Sequence, residues 1–97
     1  MIEKYLRKLQ ELQCKTLGTP VRFWLHTHFD DDAKEPFLCI TVMGPEWGKE
    51  SENESGDSQY LSVHLYQWNE SSEEENEAAQ AKVYASIEAF VNNLLSK

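Results

Sequence analysis

Three segments of the chain alternate between two kinds of side chain along their length. They are residues 21–29, 37–43 and 60–68. Strand side chains point in turn to the two faces of a sheet, so this period of two predicts three β-strands. One face is apolar and consists of Val21, Phe23, Leu25 and Phe29, then Leu38, Ile40 and Val42, then Leu61, Val63 and Leu65. The other face mixes Trp, Tyr, His, Cys, Met and small polar side chains, which is unusual for a surface that meets only water.

Two further segments show apolar spacings of three and four, the period of an amphipathic helix. The first covers residues 1–13 and ends before Gly18 and Pro20. The second is predicted to begin near Ser72, which forms a capping-box pattern with Glu75, and to run to about Leu95. Its apolar stripe comprises Ala79, Val83, Ile87, Phe90, Val91 and Leu94.

These elements predict an α+β fold in the order α-β-β-β-α, with a three-stranded antiparallel meander and two helices packed on one face. The turn-forming residues around Asp30 to Asp32 predict a hairpin between the first two strands. The predicted core comprises Leu6, Leu9, Leu25, Leu38, Ile40, Val63, Leu65, Val83, Ile87 and Phe90.

This element order resembles that of double-stranded-RNA-binding domains. In that family basic residues stand at the start of the last helix, whereas here Glu70, Glu73, Glu74, Glu75 and Glu77 occupy that region. The resemblance therefore implies a chain order and no RNA-binding activity.

The length of 97 residues predicts a single domain, 1–97. Residues 44–59 are rich in Glu, Ser, Asn and Gly and are predicted to form a flexible acidic loop. Charge is concentrated between residues 44 and 77, where ten acidic residues accompany one basic residue, within a net charge of −8. A chain of this charge is not expected to bind nucleic acid.

No apolar run is long enough to span a membrane, and no leader with a basic start and a cleavage site is apparent. Cys14 and Cys39 lack the CxxC spacing of a redox or metal motif. We therefore expect reduced cysteines and a cytoplasmic location.

One short motif suggests metal chemistry. The run from His26 to Asp30 is similar to the first five positions of the HxHxDH signature of metallo-β-lactamases, but the sixth position is Asp31 and the chain has only one other histidine, His64. That enzymatic interpretation is rejected. A smaller hypothesis survives, in which a zinc ion is held by side chains on one sheet face: His26, His28, Cys39 and His64. Cys39 beside a histidine base could instead act as a nucleophile.

The mixed face is the principal functional feature. It favours a non-enzymatic protein-interaction module without a cofactor, homodimeric through a face that carries Trp24, His26, Tyr60, His64, Tyr66 and Trp68. The alternatives are a small-ligand pocket, the zinc site, or a face covered by the loop at 44–59 through Trp47. A second alternative is an acidic inhibitor or immunity-type protein that blocks a basic protein partner, because carboxylates can stand where phosphates would bind.

Overall fold

The computed structural model describes residues 2–32, 34–45, 59–68 and 71–96. Two helices and a three-stranded antiparallel sheet make an α+β fold, so the predicted class and element order are confirmed. The elements are α1 (Ile2–Lys15), β1 (Arg22–Asp30), β2 (Glu35–Met43), β3 (Tyr60–Tyr66) and α2 (Glu73–Leu95).

The sheet is a meander with the strand order β1-β2-β3. On one face Leu25 lies opposite Ile40, which in turn lies opposite Val63. On the other face His26 lies opposite Cys39, which lies opposite His64. Directly opposite residues of an antiparallel pair share a face, so the two chemical patterns in the sequence are segregated by the sheet.

Both helices pack on the aliphatic face, and the predicted core is confirmed. Leu9, Ile40, Leu65 and Ile87 are fully buried, and the remaining predicted core residues are buried or pack against the cluster. The core also includes Val21, Phe23 and Val42 of the predicted apolar face and Val91 and Leu94 of the predicted apolar stripe, together with Ile2, Tyr5 and Leu12 of α1. Burial of this apolar surface is the main force that holds the helices to the sheet.

The hairpin between β1 and β2 extends beyond the helices, which corrects one expectation. Phe29 was placed in the apolar row, but 57% of it is exposed, and Thr27 on the same side is exposed as well. Sequence periodicity fixes the side of the sheet to which Phe29 points. It does not tell how far along the strand the helices reach.

Strand β3 ends at Tyr66, so the prediction that it continues to Trp68 is wrong. The backbone of Trp68 is instead held by one side chain of α2. The Trp68 N–H donates to Asn76 Oδ1 (2.8 Å), and Asn76 Nδ2 donates to the Trp68 carbonyl (2.9 Å). One turn further along α2, Gln80 Nε2 donates to the Tyr66 carbonyl (2.9 Å). These two buried amides join the end of β3 to the helix.

The start of α2 agrees with the sequence. Ser72 Oγ accepts from the Glu75 N–H and the Glu75 carboxylate accepts from the Ser72 N–H, each at 3.1 Å, so the predicted capping box is confirmed. Helix α1 continues two residues beyond its predicted end, to Lys15. Gly18, with φ of +80°, follows in a left-handed conformation that suits glycine.

A backbone hydrogen bond joins the residue after β2 to the residue before β3. The Gly44 N–H donates to the Gln59 carbonyl at 2.7 Å, and a Cβ on Gly44 would collide with the Gln59 side chain and approach Leu94. Most of the predicted flexible acidic loop at 44–59, Trp47 included, lies outside the described residues.

Candidate interaction face

The sheet face that carries no helix is the candidate functional site, and we call it the aromatic face. Strand alternation and the pairing register place on it Trp24, His26, His28, Phe37, Cys39, Thr41, Met43, Tyr60, Ser62, His64 and Tyr66, with Trp68 just past the end of β3. Large side chains remain open to solvent here: Trp24 is 44% exposed, and Tyr60 and Trp68 are each 42% exposed. The six residues assigned to this face from the sequence all lie on it or at its border.

Four rings form a stacked ladder across the end of this face nearest the hairpin. His28 stacks on Phe37 at 5.0 Å between ring centroids, and Phe37 stacks on Tyr66 at 5.3 Å. Trp68 continues the series, 5.4 Å from Tyr66. Stacking contacts of this kind favour particular rotamers of the four side chains.

Strand alternation places Phe37 and His28 on the mixed face, but neither is among the six residues predicted to form the interaction, although the ladder depends on both. The signal was present in the sequence. They share the alternation of His26 and Cys39, and a hairpin at Asp30 places them opposite each other.

The middle of the aromatic face is free of formal charge, while its ends are charged. Arg22 stands at one end of β1, and Asp30 stands at the other end opposite Glu35. Between these ends no described residue of the face is Asp, Glu, Lys or Arg, in a chain whose charged fraction is 27%. A neutral centre can be removed from water at far lower cost than a charged one.

The row His26–Cys39–His64 crosses the middle of the face, and it bears on the zinc hypothesis. Among the described residues, no three His, Cys, Asp or Glu side chains are grouped so that they could hold a metal ion. His28 stacks on Phe37, and His64 Nδ1 shares a hydrogen bond with the Tyr66 hydroxyl at 3.0 Å. The rings of His26 and His28 are 6.3 Å apart at their centroids. The imidazoles are thus engaged with neighbouring rings in this arrangement.

The environment of Cys39 does not favour nucleophilic chemistry. Burial raises the pKa of its thiol, which lowers the thiolate population on which reactivity depends. Neither Cys39 nor the exposed Cys14 is in a disulfide. A half-buried thiol in mid-strand is the normal place for a packed cysteine.

The acidic start of α2 is partly committed to structure. Glu75 closes the capping box, and its backbone and side-chain hydrogen bonds with Ser72 lower its pKa. Glu77 accepts from Lys4 Nζ and from the Tyr5 hydroxyl, each at 2.8 Å, and these contacts lower the pKa of Glu77. The two carboxylates therefore hold the helix start and the contact between the helices.

A cavity of about 440 Å³ lies away from the aromatic face. It is formed by the turn after α1, the end of β2, the start of β3 and the C-terminal end of α2. Its lining comprises Gly18, Thr19, Pro20, Val21, Pro45, Gln59, Leu94 and Leu95. It contains no predicted site residue. The small-ligand alternative therefore has a cavity in this structure, but at a different place from the one expected.

No protein-family model, curated protein or solved structure matches this chain. In the described part of the chain, neither helix has the length and apolarity needed to cross a membrane.

Proposed function

We propose that this protein is a non-enzymatic interaction module that forms a homodimer through its aromatic face. The observation that supports the proposal is the exposure of Trp24, Tyr60 and Trp68 around a neutral, ring-stacked centre. Contiguous aromatic surface of this kind is uncommon on monomers, and Trp, Tyr and Met are the residue types enriched in interfaces.

Two physical effects favour association through this face: removal of its aromatic side chains from water, and the small number of rotamers that association would fix. The aromatic side chains gain from leaving water, and the uncharged centre keeps the cost of removing water low. Because the ladder from His28 to Trp68 is already stacked, association orders few additional rotamers. A homodimer uses one such surface twice, which suits a face without a single dominant charge.

Trp24→Glu tests the proposal. The substitution puts a carboxylate on the face, and it should convert a wild-type dimer into a folded monomer because each interface would bury two unpaired charges. Mass in solution, measured by size-exclusion chromatography with light scattering, gives the result directly. Circular dichroism then shows whether the variant keeps its helix content.

Leu17→Glu is the matched control. Leu17 is a large apolar residue that is 74% exposed, and it lies in the turn after α1, off the sheet. The control should remain dimeric. A wild-type protein that is monomeric at high concentration would contradict the proposal and favour a face covered within one chain.

Metal content distinguishes the zinc alternative. If the module binds zinc, the purified protein should contain about one metal ion per chain, and chelation should lower its melting temperature. A His26→Ala/His64→Ala variant should then lose the metal. We expect substoichiometric metal in the wild type, because the imidazoles contact rings and a tyrosine hydroxyl.

A further inference from the structure

We propose that the two copies stack their aromatic faces with the strands antiparallel, about a two-fold axis that crosses the strands over the row His26–Cys39–His64. This inference rests on the proposed function, because it specifies the geometry of the same association. The partner is a second copy of this chain. The position of the row, the distribution of side-chain size and the placement of charge support it.

The row lies at the centre of the face. His26 is the middle residue of Arg22–Asp30, and Cys39 is the middle residue of Glu35–Met43. His64 lies opposite Cys39. The proposed two-fold axis lies between the two sheets, runs perpendicular to the strands and passes over this row. It places each strand over the same strand of the partner, and the two strands run in opposite directions. A residue on one side of the row then meets the residue equally far on the other side.

Side-chain size along β2 and β3 is unequal on the two sides of the row in a way that this arrangement uses, whereas on β1 the large Trp24 would meet the partner's His28. Phe37 and Tyr66 lie on the hairpin side, and Thr41 and Ser62 lie at the same distance on the other side. The axis therefore sets Thr41 against the partner's Phe37, and Ser62 against the partner's Tyr66. Facing sheets lie about 10 Å apart, and small residues opposite large ones let the layers interdigitate.

The two ends of β1 also carry opposite charges. Arg22 marks one end of β1 and Asp30 the other, so the antiparallel arrangement sets Arg22 over the partner's Asp30, twice in each dimer. The Asp30 carboxylate already accepts from the Asp32 N–H at 3.0 Å, and a carboxylate can accept several hydrogen bonds at once, including those of a guanidinium. The length of the arginine side chain accommodates the rotation of about 30° between packed sheets.

The other face-to-face arrangement, with the two-fold axis along β2, fits less well. It would set Glu35 against the partner's Glu35, two like charges at one interface. It would also set Phe37 on the partner's Phe37 and His28 on the partner's Tyr66, which crowds the hairpin end of the face. The charges, and the side-chain sizes along β2 and β3, therefore favour the antiparallel arrangement.

Charge reversal tests the arrangement. Arg22→Glu would face the partner's Asp30, and Asp30→Arg would face the partner's Arg22. Each substitution alone should raise the dimer dissociation constant about tenfold, because a like-charge contact arises twice. The Arg22→Glu/Asp30→Arg variant restores opposite charges and should return to within about threefold of the wild type. Sedimentation velocity over a concentration series measures all four constants.

Arg7→Glu is the control, because it makes the same change of charge at an exposed position of α1. It should leave the dissociation constant unchanged. Asp30 accepts a hydrogen bond within its turn, so Asp30→Arg could disturb the hairpin. Arg22→Glu/Glu35→Lys supplies a second reversal that leaves Asp30 itself in place, and Glu35 lies directly opposite Asp30. It should also recover affinity relative to Arg22→Glu.

The outcomes separate this inference from the function on which it rests. A wild-type monomer contradicts the homodimer itself. A second outcome is a wild-type dimer that Trp24→Glu dissociates, in which neither charge reversal recovers the affinity lost in Arg22→Glu. That outcome supports the homodimer and contradicts the antiparallel arrangement. Recovery by either reversal, with Arg7→Glu unchanged, supports it.

Discussion

The two faces of the sheet are built from alternate residues of the same strands, yet they differ in composition and in exposure to solvent. The helix-covered face is aliphatic and excludes water, with Ile40, Val42 and Leu65 fully buried. The aromatic face is stacked within itself and remains partly open to solvent. The difference indicates that the first face specifies the fold of one chain, while the second is the surface for which we propose a partner.

Replacement of Ile87 by Ala is the strongest way to break the helix-covered face. Ile87 is fully buried between α2 and the sheet, and the truncation should lower the free energy of unfolding by about 2 to 4 kcal/mol. Urea denaturation at low protein concentration measures this loss. A loss near zero would mean that α2 packs against something other than this core.

Phe37→Ala is the matching change on the aromatic face. It removes a ring that stacks on both His28 and Tyr66, but the site is half-buried, so the monomer should lose about 1 kcal/mol or less. Dimerisation should weaken by about tenfold or more, since interface aromatics dominate binding energy. If the monomer lost as much stability as with Ile87→Ala, the proposed division between the faces would be wrong.

The helix start offers a smaller effect that involves neither face of the sheet. Ser72→Ala removes the acceptor for the Glu75 N–H and should reduce the free energy of unfolding by about 1 kcal/mol. The dissociation constant should not change. Ser96→Ala, at the far end of α2, is a control for the loss of a hydroxyl, and both quantities are measured by the same denaturation and sedimentation experiments.

The smallest expected effect concerns the contact between α1 and α2. Hydrogen bonds from Lys4 and Tyr5 lower the pKa of Glu77 from its ordinary value of 4.5. A carboxylate with a lowered pKa stabilises the fold above about pH 4.5, and that stabilisation is lost as the pH falls through the lowered value. The difference in stability between the wild type and Glu77→Gln should therefore shrink on acidification. A difference that grows towards pH 3 would give the opposite sign.

The sequence predicted what depends on periodicity. Helices and strands followed from apolar spacing, and the fold class followed from their order. The end of β3 could not be predicted, because it depends on the Asn76 amide, a polar residue buried through contacts distant in the chain. Neither could the exposure of Phe29, which depends on where the helices stop. The contact between His28 and Phe37 could have been predicted, since it requires only the hairpin register.

The backbone hydrogen bond between Gly44 and Gln59 has a consequence for protein engineering. It joins the backbone on the two sides of the segment at 46–58. The entropic cost of closing a loop grows only slowly with its length, by about 0.6 kcal/mol for each doubling. A fluorescent protein or an affinity tag whose own termini are adjacent could therefore replace this segment while the meander keeps its register, as long as Gly44 is retained.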